Sequence, residues 1–305
     1  MSVELNHELC VDVAEALGLP HPGLVEKDWH VVRALRALSP LSFEGSTLAF
    51  GGGTSLCRAY GMIRRMSKDI DLRVAPPLPS RPSRRGLRGR ITEALLAAGF
   101  EFDSNDEAHL SANNEGRSLV YNLPYAPVSA RVASLRPGVK VEICSSPLLL
   151  PTVPKAIRSY VAEAMGLPPE LKGVLCVAVD ETAAEKFVAL TRRIAAEHAA
   201  GSERDHTLLR HVYDLHELRG GLDLPRLRPL LRDVLEREGA SRGGSPPDYR
   251  DDPAGVSRAA IKLLGEDRHY ARDFEIFLRD MVYGHKPAFD ECLETLDVLS
   301  GLLIE

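Results

Sequence analysis

Apolar residues recur at helical spacing through residues 1 to 40: Val11, Ala14 and Leu17, then Trp29, Val32, Ala34, Leu35 and Leu38. A turn at Pro20–Gly23 divides them into two helices. The pattern then changes. Thr47–Phe50 is short and apolar and predicts a strand; Gly51–Gly53 predicts a turn, and Thr54 or Ser55 is placed to cap a helix running through Leu56 and Tyr60. Lys68 to Val74 alternates with period two, the mark of a half-buried strand. A loop over Pro76–Pro82 leads into an arginine-rich helix ending near Ala98.

Further short strands follow at Ser118–Leu123, Ser129–Leu135 and Val139–Cys144, separated by Pro124, Pro127 and Pro137-Gly138. After Pro147 long helical patterns take over: Glu181–Glu197, Arg204–Leu218, Leu224–Glu238, Arg268–Tyr283 and Phe289–Leu303, with an exposed loop predicted over Gly239–Gly255. The expected class is therefore α/β of the α+β kind. A mixed-sheet domain with N-terminal helices occupies residues 1–150, and a mostly helical domain occupies 151–305.

On a strand, alternate side chains share a face. Ile70, Leu72 and Val74 then point to the core, while Asp69, Asp71 and Arg73 project from the other side. Two carboxylates on one rigid face repel, and a hard divalent cation with oxygen ligands offsets that well. Ordinary surface acids would show the same D-x-D, so the neighbouring segments matter. Val139–Ile143 alternates in the same way and puts Lys140, Glu142 and Cys144 on one face. If that strand pairs beside the first, Glu142 adds a third carboxylate, as a two-metal phosphoryl-transfer site requires. The glycine turn upstream offers backbone N–H groups to phosphate at close approach. A Walker loop is excluded because no lysine follows at its spacing, and a dinucleotide fingerprint fails at Leu56.

These residues together resemble a known family. Gly52-Gly-Thr-Ser-Leu56, Ala59-Tyr-Gly61 and Arg65-Met-Ser-Lys-Asp-Ile-Asp-Leu72 are similar to the signature of the AbiEii/AbiGii toxins, including the MenT type, which are DNA-polymerase-β-like nucleotidyltransferases of toxin–antitoxin and phage-defence systems. Glu26-Lys-Asp-Trp29, Glu185–Leu190 and Arg210–Leu215 resemble further motifs, so the likeness runs from about residue 24 to 218. It implies Mg²⁺ (or Mn²⁺) on Asp69, Asp71 and Glu142, and an NTP whose phosphates meet Gly52, Gly53 and the hydroxyl of Thr54 or Ser55. It also implies Lys186 on the triphosphate, Asp214 completing the site, and a cognate antitoxin as partner.

The acceptor expected from the resemblance is a tRNA 3′ end, blocked for translation. Arg81, Arg84, Arg85, Arg88 and Arg90 point the same way, since four of them share a helix face suited to a nucleic-acid backbone. A protein or small molecule as acceptor, or a non-catalytic nucleotide-binding protein that sequesters a partner, are the competing readings. Ser67, two residues before Asp69, is a candidate regulatory phosphosite, because a phosphate there adds about −1.5 to −2 charge beside the acids.

Composition narrows the setting. A net charge of −5 argues against a surface coated for nucleic acid without excluding a local basic patch. Cys10, Cys57, Cys144, Cys176 and Cys292 lie far apart with no C-x-x-C, which reads as reduced thiols in a cytoplasm. No signal peptide is evident and no apolar run is long enough to span a membrane. His206, His211 and His216 are five apart and drift around a helix, so they are not read as a zinc site.

Overall fold

The computed structural model describes residues 4–67, 69–130, 135, 137–200, 205–240 and 251–303. The chain divides into two compact units: residues 1–61 with 66–178, and residues 62–65 with 179–305.

The first unit is built on an eight-stranded mixed sheet. Its N-terminal helices are α1 (His7–Ala16) and α2 (Pro22–Leu38). Pro22 opens α2, where its missing N–H costs nothing, and the His21 imidazole caps the turn from Gly23 N at 2.9 Å. The strands are β1 (Ser42–Phe43), β2 (Ser46–Gly51), β3 (Asp69–Ala75), β4 (Leu110–Asn113), β5 (Ser118–Pro124), β6 (Gly138–Cys144), β7 (Val153–Ile157) and β8 (Leu171–Cys176). Helix α3 (Gly52–Arg58) follows β2, α4 (Arg81–Ala97) follows β3, and α5 (Tyr160–Ala164) lies between the last two strands. The order across the sheet is β4-β5-β6-β3-β2-β8-β7, with β1 paired to β2. The β3–β6 and β2–β8 pairs are parallel and the others antiparallel.

The alternation in β3 is realised residue by residue. Ile70, Leu72 and Val74 are buried, and Asp69, Asp71 and Arg73 are half-exposed. Val139, Val141 and Ile143 of β6 and Leu119, Tyr121 and Leu123 of β5 join the same buried face. Val31, Leu35 and Leu38 of α2 and Leu87, Ile91 and Leu95 of α4 pack on it. The sheet thus has one face covered by α2 and α4 and a second that carries the charges.

Three consecutive charges of α2 are buried in the first unit, and each holds a different segment. The Glu26 carboxylate accepts from Val128 N (2.7 Å) and Ser129 N (3.0 Å), Lys27 donates to the Gly138 carbonyl, and Asp28 accepts from Tyr160 N (2.6 Å) and pairs with Arg58 (2.9 Å). Buried charges are tolerated only when partnered in this way.

The second unit is helical: α6 (Val179–Ala200), α7 (Leu209–Leu218), α8 (Leu224–Ala240), α9 (Pro253–Glu266), α10 (Arg268–Met281) and α11 (Phe289–Gly301). Phe187, Leu190 and Ile194 of α6 and Val212 and Leu215 of α7 are fully buried there.

Several sequence expectations need correction. The stretch after Pro147 is not helical at once, because β7 and β8 intervene. Gly51, not Thr54 or Ser55, occupies the cap of α3, and no side chain caps it. Helix α9 begins at Pro253, inside the predicted loop, whose residues 241–250 lie outside the described residues. Lys68, Arg204 and most of the strand expected over Ser129–Leu135 also lie outside them.

Candidate active site

The charged face of the sheet is ordered by strand register. Asn122, Lys140 and Asp69 are cross-strand partners in one row, and Val120, Glu142, Asp71 and Gly51 in the next. Glu142 therefore lies directly beside Asp71 on the parallel neighbour, which meets the condition set by the alternation of the two strands. Its carboxylate is ion-paired with the Lys140 ammonium. Hydrogen bonding to Glu142 and the fields of Glu142, Asp69 and Asp71 raise the Lys140 pKa against the opposing effect of burial. A cation placed on this row thus feels all three acids at once.

Among the described residues, no group of three or more His, Cys, Asp or Glu side chains is already gathered to hold a metal ion. The donor set nevertheless fits a hard divalent cation: three carboxylates from adjacent strand positions, with an internal ammonium standing in as counter-charge.

The glycine turn abuts the acids. Gly52 has φ +68°, a left-handed conformation that favours glycine, and a Cβ there would overlap the Asp71 carboxylate, with Asp71 Cγ at 2.7 Å. Thr54 and Ser55 are each only 2% exposed. The Thr54 hydroxyl donates to the Asp69 carbonyl and lies 2.9 Å from Ser67 Oγ, so it ties α3 to the start of β3. What this turn presents to a ligand is backbone.

Lys186 and Asp214 meet in the second unit. Asp214 is fully buried, and Lys186 Nζ lies 2.8 Å from its Oδ2. Arg65 grips the same carboxylate through both oxygens, Nε to Oδ1 at 2.6 Å and a terminal nitrogen to Oδ2 at 2.7 Å. Burial alone would raise the Asp214 carboxyl; the Arg65 guanidinium and the Lys186 ammonium reverse this and hold it well below the usual carboxylate range. Asp214 is thus a permanent anion that orients two cations. Sequence reasoning assigned no role to Arg65, although it stands in the recognised motif. A fork-shaped donor four residues before Asp69 was the available signal.

The arginine run does not form the expected surface. Arg84 is 6% exposed, donating to the carbonyls of Glu115 (3.1 Å) and Leu78 (3.3 Å). It shares the buried side of α4 with Leu87, Ile91 and Leu95. That helix covers the apolar face of the sheet, so Arg81, Arg85, Arg88 and Arg90 are on the side away from the acids. A helix-face count cannot tell an inward arginine with carbonyl partners from an outward one.

One cleft opens beside Asp69, on the row it shares with Asn122 and Lys140. It has a volume of about 550 Å³, and its lining includes Lys27, His109, Asn122, Lys140 and Asp69.

A mixed sheet with paired aspartates on one central strand, a third carboxylate in register beside them and a glycine turn ahead defines a nucleotidyltransferase-type catalytic unit. The match to family models agrees: residues 33–295 fit the nucleotidyl transferase AbiEii toxin family of type IV toxin–antitoxin systems. The chain belongs to that family and is a nucleotidyltransferase toxin of a type IV system. Among solved structures, the nucleotidyltransferase toxin MenT4 from Mycobacterium tuberculosis H37Rv is similar in fold, with a TM-score of 0.55 and 22% identity over 95% of this chain and 98% of that one. No curated protein sequence matches. No helix among the described residues is long and apolar enough to cross a membrane.

Proposed function

We propose that the chain transfers a nucleotide from an NTP to a tRNA 3′ end with Mg²⁺ or Mn²⁺ as cofactor, halting translation in the cytoplasm until a cognate antitoxin restrains it. The observation that carries this is the row of Asp71 and Glu142 in register, with Asp69 two residues away on the same face and a cation already drawn to it. The acceptor hydroxyl attacks the α-phosphorus, the bond to the bridging oxygen of the β-phosphate breaks, and pyrophosphate leaves. Asp69, Asp71 and Glu142 would hold a divalent ion, which would supply charge neutralisation and acidification of the attacking hydroxyl. Glu142 would hold the ion or take the proton. The backbone of Gly52, Gly53, Thr54 and Ser55 lies beside the acids to receive phosphate oxygens. Lys186, ion-paired with Asp214, is the residue proposed to hold the triphosphate.

Ser67 is the proposed control point. Its hydroxyl bonds with that of Thr54 beside the strand start, and a phosphate there repels both triphosphate and acids. Equal transfer by phosphorylated and unmodified protein would remove this role.

The test of the whole reading is incubation with each α-labelled NTP, Mg²⁺ and bulk tRNA, followed by mapping of the labelled nucleotide. Label at tRNA 3′ ends is expected. Label on protein or on a small molecule, or none at all, overturns the tRNA assignment.

A further inference from the structure

The reaction needs a seat for the acceptor, and the two flanks of β3 differ. On the β2 side stands the glycine turn against Asp71. On the β6 and β5 side lies the cleft that Asp69 itself lines. Displacement at phosphorus puts the entering and leaving oxygens roughly in line, on opposite sides of the atom. With the polyphosphate at the glycine turn, the acceptor must approach from the β5–β6 flank. This step rests on the proposed function.

The cleft's chemistry names its occupant. Its charged lining is Asp69, the half-exposed Lys140 and Lys27, which is buried and bonded to the Gly138 carbonyl, so Lys140 is the cation it offers to an anion. Its volume of about 550 Å³ lies within the range of roughly 300–1,000 Å³ typical of small-ligand sites, and suits one nucleotide. Asn122 is exposed, and its Nδ2 donates to the Ala108 carbonyl at 2.8 Å, which fixes the amide in the wall. His109 stands beside it, held by Asp103 N at 3.2 Å. The Lys27 bond to Gly138 anchors the floor. Pro124 and Pro137 are exposed and add apolar surface for a base. A hydroxyl on a neutral peptide would need neither this volume nor a lysine in the wall. The α4 arginines, on the opposite side of the sheet, are not available for the task.

We propose that this cleft binds the 3′-terminal nucleotide of an RNA acceptor, with Lys140 contacting its phosphodiester and Asn122 and His109 its base and ribose. Lys140 is then a binding residue for the acceptor as well as a counter-charge for Glu142. The ammonium passes from one to the other as the site fills.

The test is equilibrium binding of the full chain, in EDTA so that no transfer occurs, to a 5′-labelled RNA minihelix ending in four unpaired 3′ nucleotides. Asn122→Trp fills the cleft and Lys140→Gln removes its exposed cation. Each is expected to weaken binding about tenfold, and Lys140→Gln also to lower the salt slope by about one. NTP affinity, measured separately with Mg²⁺, stays within about threefold in Asn122→Trp. Unchanged RNA affinity in folded Asn122→Trp and Lys140→Gln overturns the cleft assignment and leaves the nucleic-acid reading standing. Loss of NTP affinity in Asn122→Trp makes the cleft a nucleotide seat and overturns it too. A wild-type chain that binds NTP but not the minihelix overturns both. Should Asn122→Trp fail to fold, Lys140→Gln decides alone.

Discussion

The Asp71 carboxylate occupies the space that a side chain on Gly52 would take. The glycine is required twice over, by that contact and by its φ of +68°. Gly52→Ala therefore forces Asp71 out of place and adds about 1–2 kcal/mol of backbone strain. Transfer is expected to fall at least about 100-fold, as misplacement by about an ångström can do. Melting and label transfer measured on the same preparation check this, and full activity with a normal Tm would show that Asp71 does not need its present position.

Asp214 lies buried between Arg65 and Lys186, and removing it takes the shared carboxylate from two buried cations. Asp214→Ala is expected to cost about 3–5 kcal/mol, read by denaturant titration. Because its folded-state pKa is depressed, the carboxylate contributes stability above its unfolded pKa of about 4, and that contribution is lost as pH falls through the lower folded value. Wild type should lose stability with acid below about pH 4, and Asp214→Asn should show a flatter acid limb.

Lys186 is ion-paired with Asp214, and its proposed contact is the triphosphate, so its effect should separate from that of the sheet acids. Lys186→Ala is expected to raise KM for NTP about tenfold or more, leaving KM for the acceptor near its wild-type value. Steady-state kinetics with each substrate varied in turn distinguishes this from a general loss.

Arg84 and Arg85 are adjacent in sequence and opposite in fate. Arg84→Ala leaves the carbonyls of Leu78 and Glu115 without their donor and should cost about 1–3 kcal/mol by thermal or chemical melting. The double variant Arg81→Ala/Arg85→Ala alters exposed positions on the far side of the sheet and should change neither stability nor RNA affinity by more than about twofold. A large loss of RNA binding there would return α4 to the acceptor track.

How much of this was legible beforehand depended on periodicity. β3 and β6 each alternate over a full strand, so their faces are readable from the sequence, while the pairing that makes Asp71 and Glu142 neighbours comes from the sheet. The same alternation placed Lys140 beside Glu142, although its ion pair went unremarked. β7 and β8 were missed because each is short and interrupted, by Pro154 and by Gly173 at φ +71°. The burial of Glu26, Lys27 and Asp28 had no signal in composition, since their backbone partners lie about a hundred or more residues away. Arg84 misled because its acceptors are backbone carbonyls, at Leu78 and Glu115, which no residue pattern marks. A charge is read as outward until its partner is known.

The acid row is the hinge of the mechanism, and replacing its aspartates by amides keeps shape while removing charge. Label transfer from α-labelled NTP should be compared between wild type and Asp69→Asn/Asp71→Asn at matched Tm, with Mg²⁺ and then with EDTA. Wild-type transfer that needs the metal, and a loss of at least about 1,000-fold in the double variant, is the expected result. Undiminished product from the amide variant would contradict catalysis by Asp69 and Asp71 directly.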